Sequence, residues 1–588
     1  MSIKTRGSSS IYLILSIFCL LLLLHLRANN DPDEQLYELM PETEDDGAAK
    51  FDWAARVPMY PVTSFVPVPK GTGGLLRVQH KFTKETMEAE RLRVERQAAI
   101  KDAFVRCWTS YREHAWLEDE LMPISGSSKS PFGGWAATLV DSLDTLWIMD
   151  LKEEFAEAVE AAIAIDFTNT TSHRISLFET NIRYLGGLLS AHDLSGDRRL
   201  LRKALEIAHV LYAAFDTPDR MPINWWSPHG AAAGSKQIAD PSILSAEIGS
   251  LSLEFTRLSQ LTGDPMWHDA IHRIMTIFAK QQYASFIPGM WPLGVNPQTL
   301  DFATGTSFTL GAMADSLYEY LPKMHALLGG SGMYERMYAD SMDAAIRYSF
   351  FRPMLPDNAD VLVAGSVSAQ MQGQVLLEAK GEHLACFVGG MLALGGRLTG
   401  NESHVELGRK VTDGCIWTYE HSAAGIMPEA FLMVACSSWS DCEWDVEDWY
   451  KGIKKDSASS QDAELIATVQ RLPPGFTAIN DRRYLLRPEA IESVFINYRV
   501  GGDPDLMDKG WAMWQSIDKH TRTEYANAAL HDVTDPKAPK SDSMESFWTA
   551  ETLKYFYLLY SPPNLISLDE FVFNTEAHPF RRPKQGWW

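Results

Sequence analysis

Three polar stretches interrupt an otherwise helical pattern and hold the groups that could do chemistry. They are Leu177-Phe178-Glu179-Thr180-Asn181-Ile182-Arg183, Leu486-Arg487-Pro488-Glu489-Ala490-Ile491-Glu492-Ser493 and Phe573-Asn574-Thr575-Glu576-Ala577-His578-Pro579. Together they suggest carboxylates gathered around an oxygen-liganded cation, a chemistry that points to sugar. Each residue also has a plainer reading. Glu179 stands three residues after Ser176, which is the spacing of a capping box. Arg183, one turn on, would share its face. Asp315 follows an apolar stretch and could be a simple N-cap. Pro488 suits a first helical position, so Glu489 falls in the first turn, where the helix dipole would keep it ionised as a general base requires. Glu492 lies one turn on. Phe547 and Glu551 are four apart and would share a helical face. An aromatic face beside a carboxylate suits the apolar face and hydroxyl edge of a pyranose, although a single Phe is more often core. Asp119, Glu120, Asp141 and Asp144 add further carboxylates. His383, among apolar residues, reads more readily as a core histidine. No His-Glu-x-x-His, EF-hand, Gly-x-Ser-x-Gly or phosphate-loop motif occurs. The case rests on the set.

The elements that must position these groups are helices. An apolar helix rich in small residues, stopped by Gly and then Asp or Asn, recurs at Gly196-Asp197, Gly263-Asp264 and Gly400-Asn401, with a close variant at Gly502-Asp503. Gly can take the left-handed C-terminal cap, and Asp or Asn can open the next helix. Period-two runs of Val, Ile and Thr are scarce, so the class is all-α. Repeated helical hairpins either stack openly or close into a ring. The irregular intervals favour a closed toroid, which gathers inner helix ends around one pocket.

Of 588 residues, 46% are hydrophobic and the net charge is -23. A general nucleic-acid surface is excluded on charge; a neutral glycan or a divalent cation suits the chain. Residues 11–24 are apolar apart from Ser16, with Lys4 and Arg6 before and Arg27 after. This predicts a cytosolic tail (1–10), an uncleaved signal anchor (11–26) and a lumenal remainder; a cleaved signal peptide is the rival. Residues 27–89, acidic and then rich in Pro and Gly, predict a stem with little packed structure, and 90–588 the catalytic domain. Sequons at Asn169 and Asn401 agree with a lumenal setting. Cys386 and Cys415 could bridge there, as could Cys436 and Cys442, while Cys107 is expected unpaired in the core.

The blocks at 141–146, 178–191, 315–321, 487–493 and 573–579 occur in the order seen in the class I alpha-1,2-mannosidases, glycoside hydrolase family 47, which the chain closely resembles, most of all Golgi-type members. The resemblance implies an (alpha/alpha)7 barrel plugged by a C-terminal beta-hairpin carrying Thr575. It implies Ca2+ held by the Thr575 hydroxyl and carbonyl and by waters on pocket carboxylates. It implies removal of alpha-1,2-linked mannose from high-mannose N-glycans with inversion by a membrane-anchored monomer of the Golgi or endoplasmic reticulum. Glu489 matches the general base and Glu179 the general acid, with Asp315 a competing acid. Phe547 would stack on the sugar. Glu492 and Glu551 would bind hydroxyls or calcium waters, and Arg183, Glu247, His383 and Glu429 would line the pocket. Cys386 and Cys415 match the family disulfide, whereas Cys436 and Cys442 look specific to this lineage.

One departure matters. Endoplasmic-reticulum members that remove a single mannose carry an arginine two residues before Asp315; here it is Met313. Met cannot donate the clamping hydrogen bonds of a guanidinium, so several mannoses should be trimmed. A lectin-like relative acting in glycoprotein degradation is the alternative; retention of Glu179, Asp315, Glu489 and Thr575 argues against it. A terpene cyclase would need an aspartate-rich motif that is missing.

Overall fold

The computed structural model describes residues 51–370 and 373–583. The expected tail, signal anchor and residues 27–50 of the expected stem lie outside the described residues. Among the described residues no helix is long and apolar enough to cross a membrane.

Two concentric rings of helices alternate along the chain. The outer ring is α1 (Met87–His114), α3 (Lys152–Ile163), α5 (Arg198–Tyr212), α7 (Pro265–Gln281), α9 (Gly332–Tyr348), α11 (Glu402–His421) and α13 (Asp505–Thr521). The inner ring is α2 (Leu143–Ile148), α4 (Gly186–Ser195), α6 (Ser252–Thr262), α8 (Asp315–Leu327), α10 (Phe387–Thr399), α12 (Glu489–Gly501) and α14 (Leu553–Leu559). Each inner helix packs on the next, and the π-helical turn Trp548–Thr552 ahead of α14 returns to α2 and closes the ring. The fold is thus the (alpha/alpha)7 barrel expected.

Sequence pattern explains the two rings. Outer α5 buries Leu200, Leu201, Ala204, Ile207, Ala208 and Leu211, a stripe at helical spacing with charge opposite. Inner α12 is buried on every side from Ala490 to Val500. Gly196, Gly263, Gly400 and Gly502 all end inner helices at positive φ. Asp197, Asp264 and Asn401 then cap the following outer helices through their side chains. Between α10 and α11 the backbones nearly touch. A Cβ on Gly389 would stand 2.3 Å from Thr412 Oγ1, so only glycine fits there.

Because outer helices carry the chain back each time, all inner helices run the same way and their N-terminal ends share one face. At the opposite end the chain leaves α14 and enters a hairpin of Phe571–Phe573 and Pro579–Arg581, paired Phe571 to Arg581 and Phe573 to Pro579. Phe573 packs against Phe495 of α12 and Tyr555 of α14, so the hairpin fills the barrel. A three-stranded antiparallel sheet of Lys380–Glu382, Ala430–Met433 and Phe476–Asp481 lies before α12. It brings His383 beside Glu429, whose carbonyl accepts the His383 amide at 3.0 Å.

The expectation of a loosely packed stem is corrected for residues 51–86. They form no helix or strand, but they strap the barrel and the first helix starts at Met87. Asp216 accepts the Met59 and Tyr60 amides at 2.8 Å each, and Asp569 accepts that of Val78 at 2.7 Å. Trp53 is buried against Trp226. Composition predicts missing internal periodicity correctly, but a strap satisfies its polar groups on another surface. Cys386–Cys415 and Cys436–Cys442 are disulfides and Cys107 is free and buried.

Candidate active site

The shared face of inner N-termini collects the polar residues. Asp141 stands just before α2 and Asp144 in its first turn, Glu179 and Arg183 just before α4, and Glu247 just before α6. Asp315 opens α8, His383 precedes α10, Glu489 opens α12, and Phe547 and Glu551 precede α14. Helix N-termini present unpaired N–H groups and a partial positive charge, which favours carboxylates there.

Glu489 is held from two sides. Its Oε2 lies 2.9 Å from His383 Nδ1, and Arg487 Nη1 is 3.8 Å from Oε1. An ionised carboxylate only accepts, so Nδ1 donates, while His383 Nε2 hydrogen-bonds the Tyr419 hydroxyl at 2.8 Å. Burial alone would raise the Glu489 pKa. The His383 bond and the Arg487 charge outweigh it and hold Glu489 below the usual range. The charge state expected from the dipole is thus maintained mainly by these neighbours. Pro488 is the N-cap, one position earlier than expected. Glu429 is ion-paired to Arg487 and accepts the Leu485 amide at 2.9 Å, which fixes the turn before Glu489.

Asp315 shows the opposite polarity. Desolvation, reinforced by the Glu319 and Glu489 charges, pushes it up to about 7, although the Ser316 amide donates to it at 2.8 Å. It is not an N-cap; Ala314 holds that position. Glu179 uses half of the expected capping box: Ser176 Oγ accepts its amide at 3.2 Å. Its carboxylate turns to Arg183 Nε at 3.0 Å. Arg183 also ion-pairs with Asp141 and Glu576 and lies over the Phe132 ring at 4.7 Å. Glu247 is raised by burial and by the Glu179 charge.

A second carboxylate cluster lies deeper. Glu551 is raised well above its ordinary value by burial and by Glu576, Glu489 and Glu492. Glu492 is pushed up to about 8 by burial, with Lys323 at 3.6 Å opposing and the Glu319 and Glu489 charges reinforcing. Glu551 lies in the π-helical turn that follows Phe547, so the four-residue α-helical spacing expected for this pair is not the geometry found. Both nevertheless reach the site: the Arg183 guanidinium is 5.9 Å from the Phe547 ring centre. A second π turn, Asn181–Leu185, carries Arg183. Such turns are frequent at functional sites because they re-aim side chains.

The hairpin tip completes the cluster. Thr575 Oγ1 lies 3.2 Å from Ser316 Oγ, beside Asp315, and its amide donates to Tyr320 Oη at 3.2 Å. Among the described residues its carbonyl accepts no hydrogen bond. Asn574 ties the turn by accepting the Glu576 and His578 amides at 2.9 and 2.8 Å. Its side-chain amide donates to Glu254 at 2.8 Å and to the Ile182 carbonyl at 3.0 Å. Gly186 permits this approach: a Cβ there would lie 2.7 Å from Asn574 Nδ2. Below the tip, Asp144 meets Lys554 and His578 at 2.8 Å each with all three fully buried.

The structure therefore brings together Glu179, Arg183, Glu247, Asp315, His383, Glu429, Glu489, Glu492, Phe547, Glu551 and Thr575. Sequence reasoning passed over Lys323, Glu319, Lys554 and Glu254. Lys554 left a trace, as one cation in the apolar run Leu553 to Leu559. Met313 has φ 76° and is 52% exposed, and its carbonyl accepts the Ala246 amide at 3.1 Å.

A ring of inner helices with paired carboxylates of opposed proton affinity defines a glycoside-hydrolase type of centre. Residues 103–582 match the model of glycosyl hydrolase family 47, and the chain belongs to that family. It is 35% identical over 494 residues to mannosyl-oligosaccharide 1,2-alpha-mannosidase MNS1 of Arabidopsis thaliana, covering 83% of this chain and 79% of that one. It is 35% identical to the human endoplasmic reticulum mannosyl-oligosaccharide 1,2-alpha-mannosidase, covering 82% of this chain and 64% of the relative. The alpha-1,2-mannosidase of Trichoderma reesei superposes with a TM-score of 0.72 at 31% identity, covering 83% of this chain and 99% of that one.

Proposed function

We propose that the protein is an inverting, calcium-dependent exo-mannosidase that removes terminal alpha-1,2-linked mannose from high-mannose N-glycans. Membership of glycosyl hydrolase family 47 and the mannosidase relatives support the substrate; His383 and Arg487 on Glu489, against the buried and acid-flanked setting of Asp315, support the acid and base assignment. Such divergence assigns base and acid. Glu489, ionised, accepts a proton from water as that water attacks the anomeric carbon. The glycosidic C–O bond breaks, and the leaving oxygen takes a proton from Asp315. Glu179, tied to Arg183, orients the substrate or relays that proton through a water. Phe547 offers its face to the sugar ring.

The donor set fits a hard cation. Thr575 presents a hydroxyl and a carbonyl, and Glu492, Glu551 and Glu576 crowd nearby with every proton affinity raised. Among the described residues no three acidic, His or Cys side chains converge to hold a metal directly. Thr575 would therefore bind it and the carboxylates would grip its waters. When bound, Ca2+ would engage sugar hydroxyls and stabilise the ionised carboxylates. Met313, exposed at the rim, leaves room for more than one glycan branch, which favours trimming of several mannoses in the secretory pathway.

Mannose release from a nine-mannose glycan, followed by HPLC, tests the reading. Chelation and Glu489→Gln should each slow release at least about a hundredfold, and the wild type should pass beyond the first product. Release near the wild-type rate after both treatments overturns the mechanism; a stop after one mannose overturns only the extent.

A further inference from the structure

The strap of residues 51–86 ends where the hairpin begins. The Thr72 and Gly73 amides bond the Gly330 and Gly329 carbonyls in the α8–α9 connection, at 3.3 and 3.2 Å. Further on, the His80 amide bonds the Arg499 carbonyl near the end of α12 at 2.7 Å. Between these points Gln79 is buried against residues 563–569, which have no helix or strand to satisfy their backbone. Gln79 Nε2 donates to the Pro563 carbonyl at 2.8 Å, and its Oε1 accepts the Leu568 amide at 3.1 Å. Asp569 accepts the Val78 amide at 2.7 Å and that of Gln79 at 3.3 Å. Arg499 supports the same segment, with Nη1 2.6 Å from the Pro563 carbonyl and Nη2 3.3 Å from that of Leu565.

Two residues after Asp569 the first hairpin strand starts, and Thr575 follows at the tip. Only the three residues of that strand, Phe571–Phe573, and Asn574 separate Glu570 from Thr575. We propose that Gln79 and its neighbouring strap backbone are positioning residues: by seating residues 563–569 they set where Thr575 sits in the pocket. The consequence for activity rests on the glycosidase reading above; the seating itself does not. The family match begins at residue 103, so the strap side of these contacts lies outside the matched region. A stem cut on the C-terminal side of Gln79 would therefore sever a covalent part of the site's support.

The test uses the full chain. Gln79→Met keeps the length of the side chain and loses its hydrogen bonds to the Pro563 carbonyl, the Leu568 amide and Arg499 Nη1, the last at 3.4 Å. Asp569→Ala removes the acceptor for the Val78 amide, and Asp569→Asn keeps one. Amide hydrogen exchange of the calcium-free proteins is read over 571–581 and over α7 as an internal control. We expect exchange over 571–581 to rise about tenfold in Gln79→Met and Asp569→Ala, with α7 unchanged and Asp569→Asn close to wild type. The Ca2+ concentration for half-maximal mannose release should rise about tenfold in the same two variants. Unchanged exchange in the hairpin, or an equal rise in α7, overturns the proposal. If the hairpin loosens as expected but wild type releases no mannose, the glycosidase reading fails and the seating role stands.

Discussion

Glu489 and Asp315 have ordinary side chains, and their difference lies in their neighbours. His383 and Arg487 favour the charged form of Glu489; crowding and nearby acids favour the neutral form of Asp315. Activity should therefore rise as pH climbs through the depressed Glu489 value. It should fall as Asp315 loses its proton near about 7. His383→Ala removes a partner that lowers Glu489, so the acid limb should move to higher pH, read from kcat/KM profiles. Asp315→Asn should flatten the alkaline limb. Glu489→Gln should lower kcat by about 10²–10⁴ with little change in KM, since it removes proton transfer in the transition state. The family resemblance pointed to Glu179, Glu489 and Thr575, and the structure brings them to one end of the barrel. Lys323 and Glu254 were not legible, because a charged residue in an apolar helix shows no sign of the partner it finds across the barrel.

The elements determine where those residues aim. The π turns at Asn181–Leu185 and Trp548–Thr552 rotate Arg183 and Glu551 relative to an α-helical path. Period counting assumes 3.6 residues per turn and so mis-stated the Phe547–Glu551 relation. Gly186 is the contact through which the inner ring admits the hairpin tip. Gly186→Ala would place a Cβ 2.7 Å from Asn574 Nδ2 and 2.9 Å from His578 Cδ2. The expected cost is about 1–3 kcal/mol, with lower activity, measured by urea unfolding and mannose release. The Cys386–Cys415 disulfide joins the start of α10 to α11 across 29 residues. Replacing both cysteines with serine should cost about 2–4 kcal/mol, seen as a lower Tm.

At the scale of the molecule, one buried charge network ties the ring closure to the plug. Asp144 of α2 meets Lys554 of α14 and His578 of the hairpin, and the Lys554 Nζ also donates to the Ala577 carbonyl at 2.7 Å. First and last inner helices are thereby fastened to the element that carries Thr575. Removing one partner leaves a buried charge only partly compensated. Lys554→Met should cost about 3–5 kcal/mol in urea unfolding, and Asp144→Asn should do likewise. Whether both changes also raise hairpin hydrogen exchange tests the link between closure and plug.

By itself, the sequence determined the all-α class, the repeated helix stops and the segments bearing the candidate carboxylates. These are local properties: periodicity, a glycine tolerant of positive φ, and an Asp or Asn able to cap a helix. Tertiary structure alone decided three things. It decided that residues 51–86 pack as a strap, because an extended chain finds its hydrogen-bond partners on another surface. It decided the proton affinities, because desolvation and charge depend on residues far apart in sequence. It also brought the inner N-termini to one face, since only ring closure makes distant helix ends neighbours.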